Sequence, residues 1–253
     1  MNKKFSIRKL ISFIVFVICI ILLIYSSIKI IIWFINNKKT EQIKKSIKEI
    51  TTVEFIKDED DEDIMKVDFN NLLKENYETV AWINIPGTDI DYPVVQHNDN
   101  DYYLYHSFDN SYNGAGWVFM DYRNNYDFSD KNTVIYGHNM LNGTMFGTIK
   151  NTQTNDYLNN YKGNYYIYIT TMKTSYIFEI FSSYHLDPTD DYIRTSFNDE
   201  NDFNEWLMMV KNRSMNNYGV SVVQSDKILT LSSCFNLQER YAIHAKLISS
   251  KNY

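Results

Sequence analysis

The sequence predicts a mainly β domain, built as an eight-stranded barrel, behind a single N-terminal membrane helix. Three observations lead to this fold class. A long apolar run opens the chain, and short alternating runs separated by Asn- and Asp-rich connections fill most of the remainder. Prolines are rare, with only 3 in 253 residues, and two helical stretches interrupt the alternating runs. Short strands joined by polar turns are typical of barrels and sandwiches that are mainly antiparallel.

The apolar run predicts a membrane-spanning helix. Leu10 to Ile28 contains 19 residues without a charge, and the apolar pattern continues to Ile35, which matches the length of a bilayer core. Basic residues precede the run and no small-residue cleavage site follows it, which favours an uncleaved signal-anchor over a removed signal peptide. We therefore expect a cytoplasmic tail and anchor over residues 1–36, membrane contact through residues 10–35, and an extracytoplasmic remainder.

Residues 37–66 are predicted to form a charged stalk. The Lys-rich helical stretch from Thr40 to Ile50 is followed by the acidic run "DEDDED" at 58–63, and both patterns are typical of a solvated spacer. Residues 1–39 hold seven of the 25 basic side chains and none of the 31 acidic ones, so the remainder carries 18 basic against 31 acidic groups. This acidic balance argues against nucleic acid as a partner.

Residues 67–253 are long enough for one domain with a proper core. Eight runs in it have the strand period of two and are bounded by turn residues. Eight such strands can close a small barrel. The predicted strands are 81–87, 91–96, 116–123, 133–139, 165–171, 176–186, 227–234 and 240–248.

Two helical stretches accompany these strands. Val67 to Val80 is expected to cover one end of the barrel before the first strand. Asn198 to Arg213 has an acidic first turn, a basic last turn and an apolar stripe, which predicts an amphipathic helix between the sixth and seventh strands. An insertion of this size can form a binding wall or simply cover the core, and the sequence leaves both open.

Cys234 is the only cysteine outside the membrane run, because Cys19 lies within it. No disulfide can therefore form within the domain. An unpaired thiol in an exported protein suggests a reactive group or a pairing between molecules. The alternative is a small buried hydrophobic residue.

Arg240 is predicted to lie beside Cys234. The two residues bound a five-residue loop between adjacent strand runs, which is a usual hairpin length. A guanidinium next to a thiol favours the thiolate and can hydrogen-bond an oxyanion. The competing interpretation is a surface arginine that only pairs with Glu239 or another acid.

A thiol that attacks an amide also needs an acid to protonate the leaving amine, and histidine titrates in the required range. Five histidines are available. His138 ends an apolar strand run, where catalytic side chains on rigid scaffolds often lie. This position favours His138 over His185, which is near the end of another strand, although a lone histidine is more often structural.

Several motifs together resemble the signature of the sortase family, and of class B sortases in particular. "TLSSC" ends at Cys234, Arg240 follows six residues later, and "YGHNM" contains His138. The family pattern is usually "TLxTC", and Ser233 stands where that pattern has threonine. Further matching stretches extend over nearly the whole of 67–253: "WINIPGTDIDYPVVQ", "DYYL", "FMDYRN", "NTVIYGHNM", "MFGTI", "DDYIRTSF" and "IHAKLI".

The resemblance implies a sortase-type barrel and a role for each matched residue. Cys234 would be the nucleophile, His138 the general acid and base, and Arg240 the group that stabilises substrate and oxyanion. The long helical insertion is that of class B rather than class A. The resemblance also implies a groove that binds the sorting peptide, lined by Asn100, Leu104, Tyr192, Ile193 and Ser232.

The implied activity is cysteine transpeptidation at the cell envelope. Partners would be secreted proteins with a C-terminal sorting motif, and peptidoglycan or its lipid-linked precursor as the amine acceptor. No metal or cofactor is required for this chemistry. Two alternatives are a cysteine endopeptidase that passes the acyl group to water, and a wall-binding module without catalysis, which would have no use for all three residues.

Overall fold

A computed structural model of the chain describes residues 7–57, 63–187, 189–234 and 240–252. Helix α1 runs without a break from Ile7 to Ile50. It contains no proline or glycine, the two residues that most often break a helix. Within the described ranges it is the one helix that is long and apolar enough to cross a membrane, and its apolar window is entirely exposed.

The last turns of α1 pack against the domain. Thr40, Ile43 and Ile47 recur at helical spacing and are buried. Asn113 donates a side-chain hydrogen bond to the Thr40 hydroxyl at 2.9 Å. The prediction of a solvated stalk therefore misses a contact, because one face of this Lys-rich helix is apolar and covers the barrel. Residues 58–62 of the acidic run lie outside the described ranges.

An antiparallel hairpin follows α1 and was not predicted. It consists of β1 (Val53–Lys57) and β2 (Asp63–Val67), and Met65 in β2 is fully buried. Thr170 of the barrel donates its hydroxyl hydrogen to the Met65 carbonyl. The helix expected over residues 67–80 is much shorter, since α2 covers only Asn70–Glu75.

Eight further strands form a closed barrel, as predicted. They are β3 (Thr79–Asn84), β4 (Asp91–Val95), β5 (Phe119–Met120), β6 (Asn132–His138), β7 (Tyr166–Thr170), β8 (Thr174–Leu186), β9 (Ile228–Cys234) and β10 (Arg240–Asn252). The order around the barrel is β10, β8, β7, β3, β4, β5, β6, β9. Short 3₁₀ helices at Tyr102–Leu104 and Ile149–Gln153, and helix α3 (Asn155–Asn160), lie in the connections.

Most neighbouring strands are antiparallel, but β4–β5 and β6–β9 are parallel. The strand period carries no information about direction, because side chains alternate in the same way in both arrangements. The parallel pair β6–β9 matters most, since it joins two strands that are distant in sequence and bear His138 and Cys234 at their ends.

Helix α4 (Glu200–Asn212) connects the sixth and seventh barrel strands, as expected. The Asp199 side chain caps it by accepting a hydrogen bond from the backbone N–H of Asp202 at 2.9 Å. Its apolar stripe packs on the outer surface of the barrel in a second core cluster that also contains Tyr184 and Ala242. As a result β10 is buried on both faces over Ala242–Ala245.

Candidate active site

Three adjacent strands bring the predicted catalytic positions into one row. In the parallel pair β6–β9, His138 is the register partner of Cys234. In the antiparallel pair β9–β10, Ala242 is the partner of Ser232. The Tyr241 N–H donates to the Ser233 hydroxyl at 2.8 Å, which continues this register toward the strand ends.

The next residue pair in the same register places Arg240 opposite Cys234. Neighbouring strands are about 4.8 Å apart, so the backbones of the three residues are close together at one end of the barrel. The hairpin loop 235–239 and the Cys234 side chain lie outside the described part of the structure. The predicted contact between thiol and guanidinium therefore stays a prediction.

His138 occupies the last position of β6 and is half-buried. Its Nε2 lies 2.9 Å from the carbonyl oxygen of Leu104, which can only accept, so Nε2 carries the proton in this contact. Gly137 allows the Phe146 ring to approach, because a Cβ at residue 137 would lie 2.8 Å from that ring. The Phe146 N–H also donates to the His138 carbonyl at 2.9 Å, so the turn after β6 supports the histidine.

Arg240 is tied to the loop that follows β8. Its Nη1 donates to the Thr189 carbonyl at 3.1 Å and to the Asp190 carboxylate at 3.0 Å. Burial favours the neutral form of Arg240, but hydrogen bonds to Asp190 and Tyr192 outweigh it and raise the pKa of the guanidinium. An acid thus does pair with Arg240, and it is Asp190, whose side chain is 81% exposed.

A cavity of about 360 Å³ opens beside this row. It brings together two of the five predicted groove residues, Asn100 and Ile193, and also includes the Asp190 that holds Arg240. The lining residues are Asn100, Tyr122, Arg123, Tyr136, Asp190, Ile193 and Arg194.

The other three predicted groove residues lie around this cavity without lining it. Leu104 reaches the site through its carbonyl, which contacts His138. The Tyr192 hydroxyl and the Ser232 hydroxyl are hydrogen-bonded at 2.8 Å, and both residues are buried. Tyr192 and Ser232 therefore form the support beneath the row rather than an open wall.

Sequence reasoning missed a buried carboxylate beside the cavity. Asp121 is fully buried and accepts hydrogen bonds from Arg123 through both carboxylate oxygens, at 2.9 and 2.7 Å. The Tyr136 hydroxyl at 2.8 Å and the Asn100 amide at 3.1 Å donate to the same carboxylate. Burial alone would raise the pKa of Asp121, but the bonds from Arg123 and Tyr136 hold it below the ordinary carboxyl value. The motif "FMDYRN" contains both Asp121 and Arg123, but no role was assigned to it.

The remaining histidines are placed elsewhere. His185 is the register partner of Tyr241, the residue after Arg240. Strand β10 lies between His185 and β9. His97 contacts Glu78 at 2.7 Å, and the His106 ring stacks on Tyr102. His244 is fully buried within the sheet. His138 is thus the histidine that is the register partner of Cys234.

A sortase domain model matches residues 83–248, a range that includes all of this row and the cavity. The chain belongs to the sortase family. It is accordingly a sortase enzyme, and the relatives and structures that it resembles place it with class B.

Two curated relatives and one crystal structure support this assignment. Sortase B of Listeria monocytogenes is 38% identical over 186 residues, which is 72% of this chain and 74% of the relative. Sortase B of Staphylococcus aureus is 30% identical over 239 residues, or 93% and 96% of the two chains. Sortase B of Bacillus anthracis, solved in complex with AAEK1, superposes with a TM-score of 0.71 at 32% identity, covering 87% of this chain and 99% of the other.

Proposed function

We propose that this sortase is a membrane-anchored cysteine transpeptidase that cleaves a cell-wall sorting motif and joins the acyl group to a peptidoglycan amine. The observation that carries the proposal is the register pairing of His138 with Cys234, with Arg240 on the next strand. Nucleophile, acid and cation are the groups that amide cleavage by a thiol requires.

The first half-reaction forms an acyl-enzyme. The Cys234 thiolate attacks the carbonyl carbon of the scissile bond, and the new C–S bond gives a tetrahedral oxyanion. When the C–N bond breaks, His138 donates a proton to the leaving amine, and a thioester remains on Cys234. The Leu104 carbonyl supports this role, because it holds the His138 ring at the strand end with a proton on Nε2.

The second half-reaction consumes the thioester. An amine attacks the thioester carbonyl, His138 accepts the proton that the amine loses, and the Cys234 thiolate departs. Arg240 stabilises the oxyanion in both steps, because its guanidinium is always charged and has donors beyond the Nη1 that binds Thr189 and Asp190.

We assign the sorting peptide to the cavity beside the row. Asn100 and Ile193 line it, while Tyr192 and Ser232 support the neighbouring row and Leu104 contacts His138 through its carbonyl. A Staphylococcus aureus sortase B, 32% identical to this chain, has been solved as a substrate complex, and a sortase B has been solved in complex with triglycine. Triglycine has a free amine, which fits an amine as the second substrate.

We further propose that α1 anchors the enzyme, with residues 10–35 in the bilayer and the catalytic domain, residues 67–253, outside the cytoplasm. The support is the length and the apolar character of α1. The envelope location of the domain then gives the enzyme access to secreted proteins and to peptidoglycan or its lipid-linked precursor.

Product analysis tests the reaction. Purified full-length enzyme is incubated with a panel of quenched sorting peptides, with and without triglycine, and the products are identified by mass spectrometry. A transpeptidase gives the acyl-triglycine product when the amine is present. If only the free acid forms at every triglycine concentration, the chain is an endopeptidase and the transfer step is wrong. The Cys234→Ala variant is the matched control and should give neither product.

A further inference from the structure

Helix α1 contacts the barrel within about one turn of the end of its apolar stretch. The last residue of the stretch is Ile35, and Lys39 lies four residues beyond it. The Lys39 ammonium donates to the Tyr112 carbonyl at 3.1 Å. Next to it, Gly114 lies against the Asn36 side chain, since a Cβ at residue 114 would be 3.1 Å from the Asn36 amide nitrogen.

These contacts fix the height of one barrel loop. A helix rises 1.5 Å per residue, so Lys39 is about 6 Å beyond Ile35 along the helix axis. The headgroup layer on each side of a bilayer is about 5 to 8 Å thick. Tyr112, which is bonded to Lys39, therefore lies at the level of the lipid headgroups if α1 spans the membrane up to Ile35.

The opposite end of the docked helix gives a contrasting height. Lys48 pairs with Asp91 at 3.6 Å, and it is about 20 Å beyond Ile35 along the helix. The β3–β4 turn that precedes Asp91 is therefore well outside the headgroup layer. The barrel has one side near the bilayer and another side away from it.

The near side has the chemistry of a membrane interface. Tyr105 and Tyr112 are 52% and 68% exposed, and Lys38, which precedes Lys39 on α1, is exposed as well. Tyrosine and lysine are the residues that concentrate at headgroup level, where an apolar body and a polar tip are both accommodated. Asp109 is the acidic group of this loop, and it accepts hydrogen bonds from the backbone N–H and the hydroxyl of Ser111.

The same loop is continuous with the site. Tyr112 forms a β-bridge with His106, and two residues before His106 the Leu104 carbonyl contacts His138. The chain segment that carries Leu104 therefore leads from the site to the side of the barrel that α1 holds near the membrane.

We propose that residues 105–114, the membrane-facing loop, rest on the phospholipid headgroups beside the exit of α1. This proposal builds on the membrane anchor of the proposed function. It assigns the bilayer as the partner of the exposed tyrosines of this loop, and it sets the active-site cleft at a short, fixed distance from the lipid.

Site-specific fluorescence quenching in vesicles tests the proposal. All proteins carry Cys234→Ala, so that one other thiol can be labelled. The native Cys19 reports on the anchor. Tyr112→Cys and Asp89→Cys, each combined with Cys19→Ser, report on the membrane-facing loop and on the β3–β4 turn. Full-length labelled protein is reconstituted in vesicles of equal phosphatidylcholine and phosphatidylglycerol that contain nitroxide lipids, labelled either at the headgroup or in the acyl chain.

Three results are expected. The Cys19 probe is quenched by acyl-chain nitroxide, the residue-112 probe is quenched by headgroup nitroxide, and the residue-89 probe is quenched at least about twofold less than the residue-112 probe, because it is more than one headgroup thickness away. Melting temperatures of the two surface variants should match, so that folding differences do not explain the contrast.

The possible failures are distinguishable. Strong quenching at Cys19 with equal, weak quenching at residues 112 and 89 overturns the membrane-facing loop and leaves the anchor intact. Equal, strong quenching at residues 112 and 89 also overturns it, because the barrel then has no preferred side. Absence of quenching at Cys19 overturns the anchor and this proposal together.

Discussion

Two histidines on the same wall of the barrel have opposite environments. His138 ends β6, is half-buried, and has its Nε2 against the Leu104 carbonyl. His244 lies in the middle of β10, is completely buried, and has both ring nitrogens hydrogen-bonded, to Tyr184 and Thr230 at 2.9 Å each.

The hydrogen bonds determine the protonation of His244. Thr230 donates its only hydroxyl hydrogen to the Asn132 side chain at 2.7 Å, so it must accept from Nδ1 of His244. Nε2 then accepts from the Tyr184 hydroxyl. Burial lowers the pKa of His244 to about 3, which keeps this ring neutral.

The contrast shows how position in a strand decides the role of a residue. At the middle of a covered strand, a histidine must satisfy both nitrogens inside the protein and becomes a structural link between strands. At the strand end, the ring is partly exposed, so a reacting group can approach it from the solvent side. The proposed catalytic row lies at strand ends for this reason, and the predictions below separate the two roles.

The largest effect is expected for His138→Ala. General acid catalysis by a positioned side chain contributes about a hundred- to ten-thousandfold, so turnover on a sorting peptide should fall by at least that range. Because the ring is half-buried and at a strand end, the melting temperature should stay near that of the wild type. His185→Ala is the matched control and should change neither quantity. An equal loss of turnover in both variants would mean that the choice between these histidines is wrong.

The next largest effect is expected for Arg240. Loss of one oxyanion donor costs about a hundred- to a thousandfold in turnover, or roughly 3 to 4 kcal/mol. Arg240→Ala should lose at least this much, and Arg240→Lys should not restore it, because lysine keeps the charge but lacks the planar fork. Neither variant should lower the free energy of unfolding by more than about 1 kcal/mol. Near wild-type turnover of the Lys variant would show that charge alone matters, and full turnover of the Ala variant would reduce Arg240 to a surface ion pair with Asp190.

His244 is expected to govern stability in acid. Its pKa is lower in the folded than in the unfolded chain, so the unfolded state binds more protons and stability is lost as the pH falls from 6.5 towards 3. The slope from this one group reaches about 1.4 kcal/mol per pH unit. His244→Phe lacks this slope, so the stability gap between wild type and variant should narrow on acidification, as followed by denaturant unfolding. A constant gap would contradict the assignment of a neutral buried ring.

The smallest effect is expected for Asp190→Asn. The carboxylate that holds Arg240 is mostly exposed, and such ion pairs contribute up to about 1 kcal/mol. Turnover should fall by no more than about fivefold, and high salt should produce a similar loss in the wild type. A loss as large as that of Arg240→Ala would mean that Asp190 is required to position the guanidinium.

The barrel was predictable because its signals are local. All eight strands appear as alternating runs bounded by turn residues, and α4 appears at Glu200–Asn212 where residues 198–213 were expected to be helical. The hairpin of β1 and β2 was missed because the surface that covers its buried face belongs to the barrel. The parallel direction of β6 and β9 was missed because the strand period is the same in both directions.

The site was predictable only in part. The strand ends and the spacing of Cys234 and Arg240 indicated the row, and resemblance to the sortase family selected His138. The link from Asn132 through Thr230 to His244 could not be found, because these residues come from three strands that only the tertiary pairing joins. Asp190 was missed for the same reason, since it pairs with a residue 50 positions away.

The most direct test of the central claim is the location of the acyl-enzyme. Full-length protein is mixed with a sorting peptide without an amine acceptor, quenched in acid, digested and mapped by mass spectrometry. The acyl mass is expected on the peptide that contains Cys234 and not on the peptide that contains Cys19, and hydroxylamine should release it, as expected for a thioester. Cleavage that persists in Cys234→Ala, or an acyl group found on any other residue, would contradict the assignment of Cys234 as the nucleophile.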